Sequence, residues 1–473
     1  MDNKKLSNKT MLAYGVGGLG EGIGYNFFYA FFMFFLTTVA GVNPGVAGII
    51  TLIAVLWDGV SDPLIGYLSD NSRSPRGRRR PFILVGCILF GLSVLLLFTD
   101  VPLGIGIKPV YFIAINMLYW TGLTLSVVPH TSLGSELTAD YDDRTKLRSY
   151  QTFFMNIGAA LALSLVLVLV SSFTGAMGSE KIGWSMTGLI FGLLIFLGYF
   201  ISYLYTKGKE PKNINLGKKE TGEKRQNIFK AYRNIFSNKP LRYIIALNVL
   251  VNFMLGLAVS VRVFLYTFTF GFDEVKTSSM LLVFTIGIVA FVPVVNYVSA
   301  KIGKKKVTVL GTALYALGFL LIYVLPASDI VIGAGLLLES FGNATFWTML
   351  YALAYDTAVV EEYKTGTGNE GIIVATIGFT MKAGNALGMG ASGLGLTLIG
   401  FNQELMTQSA QTTSGLHLLY SVVPFVLLVL GAIIFAKYPL TRERYDEMRE
   451  IVRKKKQGEQ YDTEGLESLV NAG

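Results

Sequence analysis

The chain has 473 residues, 52% of them hydrophobic and 15% charged, with a formal net charge of +9 at pH 7. Soluble domains carry about 25% charged residues, so this composition excludes an ordinary water-soluble enzyme. One cysteine and two histidines leave neither a disulfide framework nor a cysteine–histidine metal centre to consider.

A polar start, Met1–Thr10, runs directly into apolar sequence with no cleavable signal peptide in evidence. From there the hydropathy predicts six spans at 11–40, 45–69, 81–100, 109–137, 149–173 and 183–205. A polar, basic stretch at 206–240 separates them from six more at 241–271, 276–300, 305–325, 329–359, 371–400 and 413–436. Each approaches the ~20 residues that cross a bilayer. Each must be a helix, because lone strands cannot satisfy their backbone groups in lipid. The expected domains are an N-terminal six-helix bundle (1–205), a linker (206–240), a C-terminal six-helix bundle (241–437) and a tail (438–473). The tail reads as a short surface helix followed by disorder.

Charge sets the topology. With both termini cytoplasmic, only Lys108, Lys181 and Lys276 fall outside, and only Arg262 and Lys382 fall within spans, out of 40 Lys and Arg. Short loops such as Arg76–Arg80 and Lys301–Lys306 carry this positive-inside signal. The positive charge therefore reports membrane topology and lipid contact, not nucleic acid. A weak internal echo relates Gly66-Tyr-Leu-Ser-Asp70, with its basic loop, to Asn296-Tyr-Val-Ser-Ala300, with its own. Two six-span halves are the parallel-repeat pattern of a rocking transporter. A multi-pass monomer in the cell membrane is expected.

Within the spans, Asp58 and Asp62 stand one helical turn apart. A carboxylate at membrane depth costs about 2.5–3.5 kcal/mol and generally serves an ion, a proton or a substrate. At i and i+4 the pair shares one helix face, so it needs a cation, a basic partner or a proton. Ser61 and Thr124 are candidate oxygen neighbours, and Lys382 is the obvious basic partner. Glu21, Tyr25, Arg262, Glu339 and Trp347 are substrate-site candidates; Arg262 and Glu339 are also candidates to pair as a gate. Asp70 with Arg78 and Arg79, Asp140 with Arg144, and Asp356 with Glu362 read as a conformational latch. The coupling ion would be Na+ or H+; no other cofactor and no structural metal is expected.

These motifs resemble the glycoside–pentoside–hexuronide:cation symporters of the major facilitator superfamily, the family of the melibiose permeases. The resemblance is carried by Tyr14–Gly20, by Trp57-Asp58-Gly-Val-Ser-Asp62-Pro63, by Gly77–Ile83, by Glu136–Asp140 with Arg144, by Asp356 with Glu362–Lys364, and by Lys382-Ala-Gly384. It implies an all-α, twelve-helix major facilitator fold and cation-coupled symport of a small solute. By the same resemblance the cation site comprises Asp58, Asp62, Ser61 and Thr124, with Lys382 coupled to it and Trp347 at a sugar-site position. The galactoside-gripping residues of melibiose permease fall instead on Gly22, Val127, Thr131 and Thr152, with Glu21 in place of a lysine. A sugar, glycoside or hexuronide is the expected solute; a lysolipid-like solute, or a cation-independent facilitator or exporter, is the alternative.

Overall fold

A computed structural model of the protein describes residues 6–104, 106–138, 140–209, 238–366, 370–457, 459–463, 466 and 469. Most of the expected linker therefore lies outside the described residues. Twelve helices are long and apolar enough to cross a membrane, and no strand occurs among the described residues. The first six spans contain α1 (Asn8–Phe34), α2 (Pro44–Asp70), α3 (Arg80–Leu97), α4 (Lys108–Leu137), α5 (Tyr141–Met177) and α6 (Glu180–Tyr205). Next come α7 (Lys239–Phe264), α8 (Glu274–Ile302), α9 (Lys304–Val324), α10 (Asp329–Asp356), the short α11 (Ala358–Thr365) and α12 (Glu370–Leu398). The last span joins α13 (Ala410–His417) to α14 (Val423–Ala436), and α15 (Arg442–Gln457) follows.

The helices group into two compact units. One comprises Met1–Leu216, Val259–Leu282 and Met389–Leu416; the other comprises Gly217–Ala258, Val283–Gly388 and His417–Gly473. In the first unit α1 packs on α5 and α6, α3 on α4 and α6, and α2 on α4. Glycine makes the α1–α5 contact possible. Gly15, Gly18 and Gly22 lie against Tyr150, Gln151 and Met155, where an added Cβ would collide with α5 backbone. Close approach of small residues is the main source of helix cohesion in lipid. In the second unit α9 packs on α10 and α14, with Gly311 on Thr345 and Gly342 on Tyr315.

Two loops repeat one another in detail. After α1 a π-helical turn, Phe35–Val39, leads to Gly41 at φ 69° and then to Asn43, whose side chain caps α2. After α7 a π-helical turn, Leu265–Thr269, leads to Gly271 at φ 63° and then to Asp273, whose Oδ1 accepts from the Lys276 amide. The offset from Gly41 to Gly271 equals that from Tyr67 to Tyr297, so this pair belongs to the same repeat as the weak sequence echo. Both glycines occupy the left-handed region that other residues avoid.

The tail forms the expected helix, and the structure adds what that helix packs against. Helix α15 docks on α11: Lys455 Nζ donates to the Tyr363 carbonyl at 2.7 Å, and Lys456 pairs with Glu362. Met448, Ile451 and Val452 are buried on its inner face, and Leu466 and Leu469 beyond it are buried too. Apolar burial orders a segment whose composition reads as solvated.

Candidate functional site

Helix α2 places Asp58 and Asp62 toward α4. Asp58 is 1% exposed and Thr124 fully buried, while Asp62 is half-buried. Thr124 Oγ1 stands 3.0 Å from Asp58 Oδ1 and 2.9 Å from Asp62 Oδ1. A hydroxyl has a single proton, so it donates to one carboxylate at a time and turns a lone pair to the other. Ser61 Oγ, 3.5 Å from the Thr124 hydroxyl, donates to the Asp58 carbonyl at 3.2 Å. This oxygen-rich cluster suits a small hard cation or a proton on one carboxylate. Pro63 lacks the N–H that would bond the Gly59 carbonyl, which loosens α2 at the pair. One turn away Trp57 Nε1 donates to Thr121 at 2.9 Å and ties α2 to α4. Among the described residues no three His, Cys, Asp or Glu side chains are grouped to hold a metal ion.

Glu21 lies half-buried on α1, on the stripe that continues through Tyr25 and Tyr29. Gln151 of α5 donates to Glu21 Oε2 at 3.1 Å and accepts from Arg148 at 3.0 Å and from the Tyr14 hydroxyl at 3.4 Å. Tyr25 and Tyr29 flank Trp120 of α4 at 6.1 and 6.0 Å. Gly22, the position of the galactoside-gripping aspartate in melibiose permease, faces the α5 backbone at Met155. A side chain there would have nowhere to go, so the carboxylate of α1 sits at position 21. Val127 and Thr152 are half-buried and Thr131 is exposed.

The other candidates lie on several helices. Lys382 is half-buried on α12, in the second unit, whereas the aspartates lie in the first. Arg262, 3% exposed, ends α7 in the first unit. Glu339 is fully buried on α10 in the second, where Tyr420 donates to its two oxygens at 3.1 and 3.3 Å. Trp347 is 38% exposed and edge-on to Phe346.

The expected latch residues make local contacts. Arg79 ties the end of α2 to the end of α4: it pairs with Asp70, donates to Ser69 Oγ at 2.8 Å and bonds Glu136 at 3.0 Å. Arg78 joins the same cluster, 3.4 Å from Asp70. Asp140 caps α5 through the Asp143 amide, and Arg144 donates to the Thr138 carbonyl. Asp356 pairs with Lys304 at 2.7 Å, and Glu362 pairs with Lys456. Reading residue by residue missed Glu136 and Gln151 as partners. Glu136 stands in the Glu136–Asp140 motif, whereas Gln151 had no signal short of the α1–α5 packing.

A family profile described as MFS/sugar transport protein matches residues 13–442. The chain is 28% identical over 454 residues to an uncharacterized symporter, YnaJ, of Bacillus subtilis, covering 94% of each. It is 24% identical over 438 residues to an isoprimeverose transporter of Lactiplantibacillus pentosus, covering 91% of this chain and 88% of the relative. Its fold matches that of a bacterial homolog of the human lysosomal transporter Spinster, with a TM-score of 0.71, 12% identity, and coverage of 94% of this chain and 99% of the other.

Proposed function

Because the chain belongs to the MFS/sugar transport protein family, a family of multi-pass membrane transporters rather than enzymes, we propose that it moves a sugar, glycoside or hexuronide by symport with Na+ or H+. The observation that carries the coupling is the pair Asp58 and Asp62 sharing the single hydroxyl of Thr124. Two carboxylates one turn apart on α2, Asp58 buried and Asp62 half-buried, repel one another and favour a positive charge beside them, which gives the cation a place to bind. A cation bound there favours the conformation that takes up solute, and solute in turn favours the bound cation. The half-buried stripe of Glu21, Tyr25 and Tyr29, with Gln151 behind it, supplies hydrogen-bonding groups and ring faces suited to a saccharide. A relative named as an isoprimeverose transporter supports the same solute class. Lys382 receives its coupling role, and Trp347 and Arg262 their substrate roles, from the resemblance.

The test is uptake by proteoliposomes of a panel of labelled sugars, glycosides and uronides, with and without imposed Na+ or pH gradients. At least one solute is expected to accumulate in a gradient-dependent way. Asp58→Asn is expected to reduce that stimulation by about tenfold or more. Gradient-independent uptake across the panel would establish a facilitator instead, and uptake of lysolipid alone would reassign the solute.

A further inference from the structure

Helix α4 carries a polar stripe that leads to the aspartate pair. Asn116, Trp120 and Thr124 follow one another at four-residue spacing, so their side chains share one face. Asn116 lies ~12 Å from Thr124 along the axis, toward the end of α4 that the charge pattern places outside. Thr124 touches both carboxylates. Asn116 is fully buried and Trp120 is 1% exposed. Among the described residues neither amide atom of Asn116 nor Trp120 Nε1 meets a hydrogen-bond partner.

Other buried polar atoms are unmatched too, Asn252 Oδ1 and Tyr199 Oη among them, but among the described residues Asn116 is the buried asparagine with neither amide atom matched. Asn26 and Asn252 donate to the carbonyl four residues back, as an asparagine in a membrane helix readily does. On α4 itself Thr121 and Ser126 bond the carbonyls four residues back, and the Tyr119 hydroxyl donates to the Gly24 carbonyl at 2.7 Å. Three buried, unmatched polar atoms in succession cost free energy and call for an explanation. The rings of Tyr25 and Tyr29, half-buried on α1, lie 6.1 and 6.0 Å from that of Trp120.

We propose that Asn116 and the Trp120 indole N–H form a relay site through which the coupling cation, carried with water, passes to Asp58 and Asp62. The Asn116 carbonyl oxygen is a ligand for a monovalent cation, and its NH2 group and the indole N–H donate to the accompanying water. The faces of Tyr25, Tyr29 and Trp120 suit a passing positive charge. A saccharide is too large for a stripe that is fully covered, whereas a cation with a water needs only a small parting of rings. The inference rests on the cation-site reading of the aspartates.

The experiment is stopped-flow tryptophan fluorescence on the full-length protein in proteoliposomes, following a Na+ step at fixed pH and, separately, a pH step without Na+. Equilibrium 22Na+ binding, or proton uptake reported by a pH dye, is measured alongside. Asn116→Leu is expected to slow the approach to equilibrium about tenfold while leaving the equilibrium constant within about twofold. Asn116→Ser, which keeps a hydrogen-bonding group, should recover much of the rate. Proton uptake in place of Na+ binding would identify H+ as the relayed ion. Unchanged rates in Asn116→Leu, or parallel losses of rate and affinity in both variants, would overturn the relay. Absence of any Asp58-dependent binding in the unmodified protein would instead overturn the cation site on which it rests.

Discussion

At the scale of single residues, Thr124 decides more than its type suggests. Its hydroxyl stands 3.0 Å from Asp58 and 2.9 Å from Asp62, and it is fully buried. Thr124→Val keeps the volume and removes the donor. It is expected to raise the cation concentration for half-maximal uptake by roughly tenfold, the equivalent of about 1.4 kcal/mol, while the protein still folds. Cation titration of uptake measures this, and an unchanged titration would place the cation elsewhere. Gly22 shows the opposite logic. There a side chain is sterically forbidden by the Met155 carbonyl, so the α1–α5 approach requires glycine.

At the scale of elements, Arg79 is the tie between α2 and α4, and its two acidic partners are unequal. The Arg79 side chain is 6% exposed and that of Glu136 15%, whereas that of Asp70 is 53% exposed. A partly buried pair loses up to about 3–5 kcal/mol when one partner goes, and an exposed one about 0–1 kcal/mol. Glu136→Gln should therefore lower the melting temperature in detergent by clearly more than Asp70→Asn. Equal or reversed effects would show that the tie is not buried in solution. The π-helical turns that end α1 and α7 are a second element-level feature. Each forfeits regular backbone bonding before a left-handed glycine, a combination that gives two matching helix ends a soft point.

At the scale of the whole molecule, the chain is a twelve-span membrane transporter that carries a C-terminal helix packed onto a loop helix of the second unit. Burying Met448, Ile451 and Val452 stabilises this arrangement by about 1.5–3 kcal/mol for each side chain. Truncation before Arg442 is expected to lower thermal stability and to make α11 more susceptible to protease. Unchanged melting and digestion would mean that the tail contributes nothing to the packing of α11.

The spans were legible because lipid leaves the backbone a single solution, the helix, and apolar runs of membrane-crossing length announce it. The aspartate pair was legible for the same reason: charge at membrane depth is too costly to be incidental. Other features depended on residues that are distant in sequence. Only the packing of α1 on α5 brought Gln151 to Glu21 and closed position 22. Only the docking of α15 showed that a highly charged tail hides an apolar face. The sequence by itself determined the number of membrane-crossing helices and the place of Asp58 and Asp62 within one of them, because these follow from local hydropathy. The tertiary structure alone decided which groups those charges meet and which polar atoms of α4 are left unmatched, because partners are set by helix approach, and that approach is governed by glycines scattered through the chain.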